Sequence, residues 1–584
     1  MWTLLLPIAA AGTLPPGEPI PRAAALHVSN AGLAHMGDAV EGLVPPSFPV
    51  ADIYGSFECD EADEDPLTYS LGAIDLYLAA QDVALVAADG ELHLTLYLTL
   101  SSSASQLDVT GDCSFLQDLE ETCGVAFPTT SVVADLSIAM ALYEGNDGVN
   151  YIDVTASDPA ITISPIGNPL SDCVLADAIG TLLGTNEEAI SALLLSFVEP
   201  ELEGLGAEIE TSLEDALNGL VLETSFGLGE GEVALTLEPS SLELTEAGLV
   251  LGLGATSVPS FISDCVDAGE GSASADAPWP DFSERAWDTS LEYDAAIFVN
   301  KDFVDHVLWG VWATGALCLD VSTAVEGLTL DTQLFSNLFG ESFAALFDEN
   351  DPKPVNIVTA PDAPPTIGFQ EDGAPFALQL REFGLNFSAP LDDRETRLFR
   401  ADVVADVGID PGLGATELAP AVIIDTEAIQ FEEPYNELVE PGFSEGLADF
   451  LPTVLGTVLP DDLLPTVAIP SILGIGLDTV FWLPDADGQW MGGFILLDID
   501  NVQPLEVAGC EGGSFGCDGF EGETDPFDFE TLLGCGEDSA GCGADSAGCE
   551  DTGCTTQHRR RFWPGWRFGL GFFALVLASL RRRG

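Results

Sequence analysis

The 584-residue chain is nearly without basic residues. It has 15 lysines and arginines against 98 aspartates and glutamates, for a net charge of −83. Two lysines occur, Lys301 and Lys353. Seven arginines (Arg559, Arg560, Arg561, Arg567, Arg581, Arg582, Arg583) crowd the last 26 residues, which leaves eight basic residues for the body. Such a body repels nucleic acid and anionic head groups, so no nucleic-acid partner is expected. A solvated acidic surface explains the charge better than a dedicated acidic site. Histidine is as scarce. His27, His35, His93, His306 and His558 make no metal-ligand spacing, and no H-E-x-x-H is present, so neither metal nor cofactor is expected. "GGSFG" (512–516) fits the text of a nucleophile elbow around Ser514, but no strand precedes it and no helix follows. No catalytic residue is assigned, and the chain is not expected to be an enzyme.

Long apolar runs are missing except at the end. "HRRRFWPGWRFGLGFFALVLASLRRRG" holds a 13-residue apolar run, Phe568–Leu580, roughly 20 Å as a helix against a hydrocarbon core of about 30 Å. Arginines flank it, and the last three favour the cytoplasmic side. Upstream lies the Cys/Gly/acidic stretch "CGEDSAGCGADSAGCEDTGC" (535–554). Cysteines, a short hydrophobic helix and terminal arginines together resemble bacterial sorting signals of the MYXO-CTERM type. That resemblance implies attachment at the cell surface or outer membrane through the C-terminal segment; a plain membrane anchor is the alternative. "MWTLLLPIAAAG" at the start reads as a short signal peptide, followed by the spacer "TLPPGEPIPR" (13–22). An exported chain suits the twelve cysteines.

Between these ends, period-two alternation dominates. "LHLTLYLTL" (92–100) sets leucines on one face and His93, Thr95, Tyr97 and Thr99 on the other. It follows another alternating run across an Asp89-Gly90 hairpin signal. A second strand pair surrounds "EGNDG" (144–148). Residues 185–222 predict a long helix: Thr185 and Glu188 form a capping box, Leu193, Leu194 and Phe197 recur at helical spacing, and Pro200 should kink it. Strands return at 232–257, "DAGEGSASADAPWPDFSER" (267–285) reads as a linker, and a Pro-interrupted helix is expected over 445–470. A final hairpin (476–500) turns at Asp487-Gly488.

The pattern of elements runs twice. "AALHVSNAGLAHMGDAVEG" (24–42) aligns without a gap on "AAIFVNKDFVDHVLWGVWATG" (295–315), placing Val28 on Val299, Leu33 on Val304, His35 on His306 and Met36 on Val307. In the second copy Phe303, Val304, Val307, Leu308, Val311 and Trp312 fill an arc of roughly 180°, wider than the stripe of about 100° that a surface helix needs. Asp302, Asp305, His306 and Trp309 occupy the rest; Asn300 should cap the start and Gly315 end the helix.

These two starts, with "LDTQLFSNLFGESFAALF" (330–347), "APPTIGFQEDGAPFALQLREFGLNFSA" (363–389) and "EGLADFLPTVLGTVLPDDLL", resemble the bactericidal/permeability-increasing and lipopolysaccharide-binding proteins of the tubular lipid-binding (TULIP) superfamily. The resemblance spans about residues 24–505 and rests on apolar spacing. It implies an α+β fold of two tandem elongated domains, each a twisted antiparallel sheet rolled round a long helix, joined by a central sheet. The implied layout is a signal peptide and spacer (1–22), an N-terminal TULIP domain with central-sheet strands (23–266), a linker (267–285), a C-terminal TULIP domain (286–506), a stalk (507–558) and a hydrophobic anchor or sorting signal (559–584). The implied partner is a phospholipid or other acyl-chain lipid held in apolar tubes. Exposing a 16-carbon chain costs about 12 kcal/mol, so a carrier must supply an equally apolar wall. The expected walls are Leu33, Met36 and Val40 with Leu193, Leu194 and Phe197 in the first half, and Phe303, Val307 and Val311 with Leu451, Leu455 and Leu463 in the second. The scarcity of cations departs from endotoxin-capturing relatives and favours neutral or zwitterionic cargo, or calcium bridging. "ECDEADEDP" (58–66), "FDENDP" (347–352) and "DADG" (485–488) are candidates for weak calcium binding, although a hairpin turn suits the last better. Cys113 and Cys123 enclose a short acidic loop and are expected to pair; Cys59, Cys173, Cys265 and Cys318 allow three connectivities. The competing reading is a structural or adhesion protein with the same fold and filled tunnels.

Overall fold

A computed structural model describes residues 12–498 with gaps, chief among them 172–186, 321–329 and 437–475 apart from Val467 and Ala468. Among the described residues the chain is mostly antiparallel sheet with five helices. The alternation explains this. In Glu91–Ser102 the even-numbered leucines from 92 to 100 are buried, while His93, Thr95, Tyr97 and Thr99 are not. Ala88 pairs with Glu91 across a two-residue turn, where Gly90 takes a φ of 87° that only glycine adopts without cost.

Three large sheets carry the fold. The first runs in the order Asn150–Ala156, Thr130–Glu144, Glu91–Ser102, Ile74–Ala88, Ser47–Val50, with Ala160–Ile163 also paired to Thr130–Glu144. The central sheet runs Leu222–Leu228, Gly231–Thr245, Gly248–Pro259, Ile20–Ser29, Ala295–Asn300, Trp490–Asp498, Gly476–Pro484. The third is built on Phe376–Leu391 and Arg394–Asp410. A five-stranded sheet of residues between 53 and 171 completes the first half.

The central sheet joins the two sequence copies. Strands Ile20–Ser29 and Ala295–Asn300 pair antiparallel, with Leu26 opposite Ile297. Those two residues are also equivalents in the gapless alignment, so a local two-fold axis passes between them. On either side the strand is flanked by a hairpin from its own half, 231–259 and 476–498.

Each copy then enters a helix, α1 (Asn30–Glu41) and, in the second half, Lys301–Ala313. The caps are equivalent: Gly32 N–H donates to Ser29 Oγ at 3.2 Å, and Asp302 N–H donates to Asn300 Oδ1 at 2.8 Å. Between them in sequence lies α2 (Glu187–Asn218), so Lys301–Ala313 is α3. The 32 residues of α2 span about 48 Å, ending four residues short of the expected 222, where a strand begins. Leu194, Val198, Leu202, Leu205, Ile209, Leu213 and Leu217 form its buried stripe. Pro200 sits inside the helix, exposed, without ending it. Thr185 of the expected capping box lies outside the described residues. Two short helices, α4 (Thr332–Phe339) and α5 (Glu341–Ala344), follow.

Three expectations need correction, and a fourth falls almost wholly outside the described residues. The spacer at 13–22 is partly strand: Gly12–Leu14 pairs with Ser272–Ser274, and Ile20 opens a central strand. The linker at 267–285 is a packed strap, fixed by hydrogen bonds from Arg22 to Ala277 O and from Trp490 Nε1–H to Pro278 O. The helix expected over 445–470 falls outside the described residues except Val467–Ala468, which form a short strand with Glu417–Leu418. Cys113 and Cys123 sit in paired strands but out of register, for Cys123 faces Leu107 and Cys113 faces Leu116. Six residues of strand, about 20 Å, separate them, against a Cα spacing of about 6 Å in a disulfide. Cys123 is disulfide-bonded, and Cys265 bonds Cys318 with Cα atoms 6.7 Å apart. Cys59 and Cys173 lie outside the described residues.

Candidate functional site

The apolar interior is the candidate site. Leu33, Met36 and Val40 all point from one face of α1 into it and are buried. α1 lies close on strand Ile74–Ala88: a Cβ at Gly37 would stand 3.1 Å from the Val83 carbonyl oxygen, so glycine sets the approach. Leu194 is buried from α2, and Phe197 packs half-buried against the same cluster. The Leu193 side chain, Leu451, Leu455 and Leu463 lie outside the described residues. Phe303, Val307 and Val311 are buried, and they join this same cluster rather than the second-half one around Phe335, Phe387 and Phe399. Two separate sets of wall residues were expected; the described ones form a single interior.

The reason is where α3 packs. A Cβ at Gly310 would lie 3.4 Å from both Ser257 Oγ and Val233 Cγ1, so the helix rests on the first-half hairpin of the central sheet. Its wide apolar arc therefore meets protein. Its polar remainder is covered too, which the sequence pattern did not predict. His306 Nδ1 and Ser272 Oγ are 2.8 Å apart, Ser274 Oγ donates to Asp302 at 3.1 Å, and Trp309 Nε1–H donates to Ala268 O at 3.2 Å. All three partners belong to the strap. On another side Trp312 Nε1–H donates to Pro361 O at 2.7 Å, and Ile367 N–H to Asp305 at 2.7 Å. Lys301 pairs with Asp305 one turn on. Burial raises the Asp305 pKa above the ordinary carboxylate value, against the opposing pull of Lys301. Burial lowers that of His306, partly offset by a hydrogen bond to the Ser257 backbone.

Side-chain types are sorted between clusters. The large interior is chiefly leucine, valine and isoleucine. It also buries Phe48, Phe127, Phe303 and Phe376, but denser groups of aromatic rings lie elsewhere. Phe387 stacks on Phe399 at 4.1 Å in the second half. On the other face of the central sheet, Phe298, Trp490 and Phe494 meet Trp279 and Phe282 of the strap and Trp287 just beyond it, with Tyr293 beside them. This ring layer escaped the sequence reading, although three aromatics in "APWPDFSERAW" were a signal of burial. There too His27 is buried, with Nδ1 2.6 Å from Tyr293 Oη, and burial lowers its pKa.

Aliphatic side chains of this kind can hold alkyl chains by excluding water and by dispersion. In the acidic turns at 348–351 and 485–489, Asp348 accepts from Asn350 N–H, Asp351 pairs with Lys353, and Asp485 accepts from Gln489 and Trp490 N–H. Among the described residues no group of three His, Cys, Asp or Glu side chains is placed to hold a metal ion, and no helix is long and apolar enough to cross a membrane. Ser514, residues 58–64 and the tail at 559–584 lie outside the described residues.

No family model matches the chain, and no curated protein does. Among solved structures, a lipopolysaccharide-binding protein is similar over 82% of this chain and 99% of its own, at 13% identity and a TM-score of 0.49. P47 of Clostridium botulinum E1 is similar over 82% and 100%, at 8% identity and a TM-score of 0.24. Takeout 1 of Epiphyas postvittana covers 29% of this chain and 78% of its own, at 14% identity and a TM-score of 0.16. Identities are too low, and superpositions too loose, for any of the three to lend this chain a function.

Proposed function

We propose that the chain is an exported, surface-tethered lipid-binding protein that holds acyl chains in its aliphatic interior and performs no catalysis. The observation that carries this reading is the sorting of side chains. One continuous interior is lined chiefly by flexible leucine, valine and isoleucine, with Phe48, Phe127, Phe303 and Phe376 buried among them, while the clusters around Phe387 and Phe494 are built on ring-on-ring contacts. Alkyl chains replace aliphatic side-chain contacts at little loss, whereas stacked rings resist displacement. The cargo is a neutral or zwitterionic phospholipid, because the acidic body offers little to an anionic head group. Two tandem domains of tubular lipid-binding type, meeting at the central sheet, are the architecture this reading adopts. The tail at 559–584 serves as the tether to the cell surface or outer membrane.

A second reading, a structural surface protein with filled tunnels, draws on α3, which is enclosed by protein on all sides. Native mass spectrometry after gentle purification separates the two. Carriage is expected to give protein bearing one or more masses in the phospholipid range, removable by organic extraction and restored from phosphatidylcholine vesicles. If the protein retains no lipid and takes up none, the carrier reading fails.

A further inference from the structure

The segment Val258–Ile262 breaks the rule that the chain buries its large apolar side chains. Val258, Phe261 and Ile262 are 44, 41 and 49% exposed within five residues. The loop cannot fold them back, because its backbone is fastened on several sides. Ser260 N–H donates to Glu232 O at 2.7 Å, Glu232 N–H donates to Ser260 Oγ at 2.9 Å, and Ser263 N–H donates to Ala313 O at 2.8 Å. Two residues on, the Cys265–Cys318 disulfide ties the loop to the segment after α3. An exposed apolar cluster held this rigidly marks an interaction surface.

We propose that this loop docks the protein on the uncharged apolar layer of a zwitterionic lipid surface. Its charged surroundings select that partner. Glu232, bonded to the loop, Glu18, next to the Gly17 that touches Val258, and Asp264, Asp267 and Glu270, which follow it in sequence, are all exposed and all acidic. An anionic bilayer is repelled, and so is a second copy carrying −83. A lipid surface without net charge accepts a Val/Phe/Ile wedge and needs no counter-charge. The loop also adjoins the interior: Gly231, at the start of the strand it is bonded to, lies against Thr314 at the end of α3, one turn beyond Val311. Docking here sets lipid beside one end of the proposed binding interior, so this inference rests on the carrier reading for its purpose but is testable without it.

The test uses the full chain and phosphatidylcholine vesicles. Hydrogen exchange is expected to slow at least tenfold across residues 258–264 when vesicles are added, and less with phosphatidylglycerol vesicles at low salt. The triple variant Val258→Ser, Phe261→Ser, Ile262→Ser should abolish that protection and slow lipid uptake at least tenfold without lowering the final lipid load. Exchange unchanged by vesicles in the wild type overturns the docking proposal whatever the cargo result. Uptake equal in variant and wild type overturns it while leaving the carrier reading intact. Self-association of the wild type that the triple variant abolishes would assign the loop to a second copy, and overturns it too.

Discussion

His27 and His306 are residues whose chemistry was concealed by their position. Both are buried, and burial lowers both pKa values below the ordinary 6.5. The sign follows from linkage. An unfolded histidine takes up its proton near pH 6.5, whereas the folded one resists until a lower pH. Stability from these two groups is therefore complete above about pH 6.5 and declines as pH falls from there through the folded values. Each contributes a slope of up to about 1.4 kcal/mol per pH unit in that window. Thermal melts between pH 7.5 and 5 should show the wild type losing more stability than His306→Gln. Parallel profiles would show that His306 does not resist protonation. Asp305 acts in the opposite sense, since its raised pKa means that acidification relieves a buried charge. The sequence showed His306 as a member of a polar helix face. It could not show that Ser272, 34 residues earlier, would come to rest beside it.

At the scale of elements, glycines separate contact from freedom. A Cβ at Gly32 in α1 would stand 2.0 Å from the Asp294 backbone oxygen, whereas one at Gly204 in α2 would meet nothing within 4 Å. Gly32→Ala is thus expected to destabilise by several kcal/mol, because backbone must move in both halves. Gly204→Ala should stabilise by up to about 1 kcal/mol through helix propensity alone. Denaturant titration of the two variants decides; equal effects would refute the packing of α1. Much at this scale was readable in the sequence. The leucine alternation of 92–100, the Asn300 cap and the helical spacing of α2 follow from periods and side-chain chemistry that need no partner. What escaped depends on distant partners. The strap at 267–285 has the composition of a loose linker, yet Trp279 and Phe282 are held by a sheet completed about 210 residues later. Cysteine spacing suggested a Cys113–Cys123 bridge, and strand register, which spacing does not encode, forbids it.

The whole molecule is dominated by its charge. With −83 on 584 residues, self-repulsion opposes every compact state, and it is screened over about 10 Å at 0.1 M salt. Raising monovalent salt from 0.02 to 0.5 M is expected to raise the melting temperature by at least several degrees. Calcium at millimolar concentration should do so more effectively per unit of ionic strength if it bridges carboxylates. A melting temperature independent of salt would mean that the acidic residues are spread too widely to interact. The gapless match of 24–42 on 295–315 falls on two strand-then-helix units whose strands pair with each other, a pairing the match itself did not foretell. That the apolar walls of both halves merge into one interior was not legible either, because it depends on α3 resting on the other half's hairpin.

The pairing of Leu26 with Ile297 also has a history in time. Strand Ile20–Ser29 is synthesised well before its neighbour on one side, which arrives more than 260 residues later. At ordinary ribosomal speeds the wait is on the order of tens of seconds. Throughout it, an alanine- and leucine-rich strand has one row of amides and carbonyls unpaired, and a nascent chain in that state invites edge-to-edge aggregation. The first half is thus an incomplete folding unit, and a fragment ending before residue 295 should need a holding chaperone where the full chain does not.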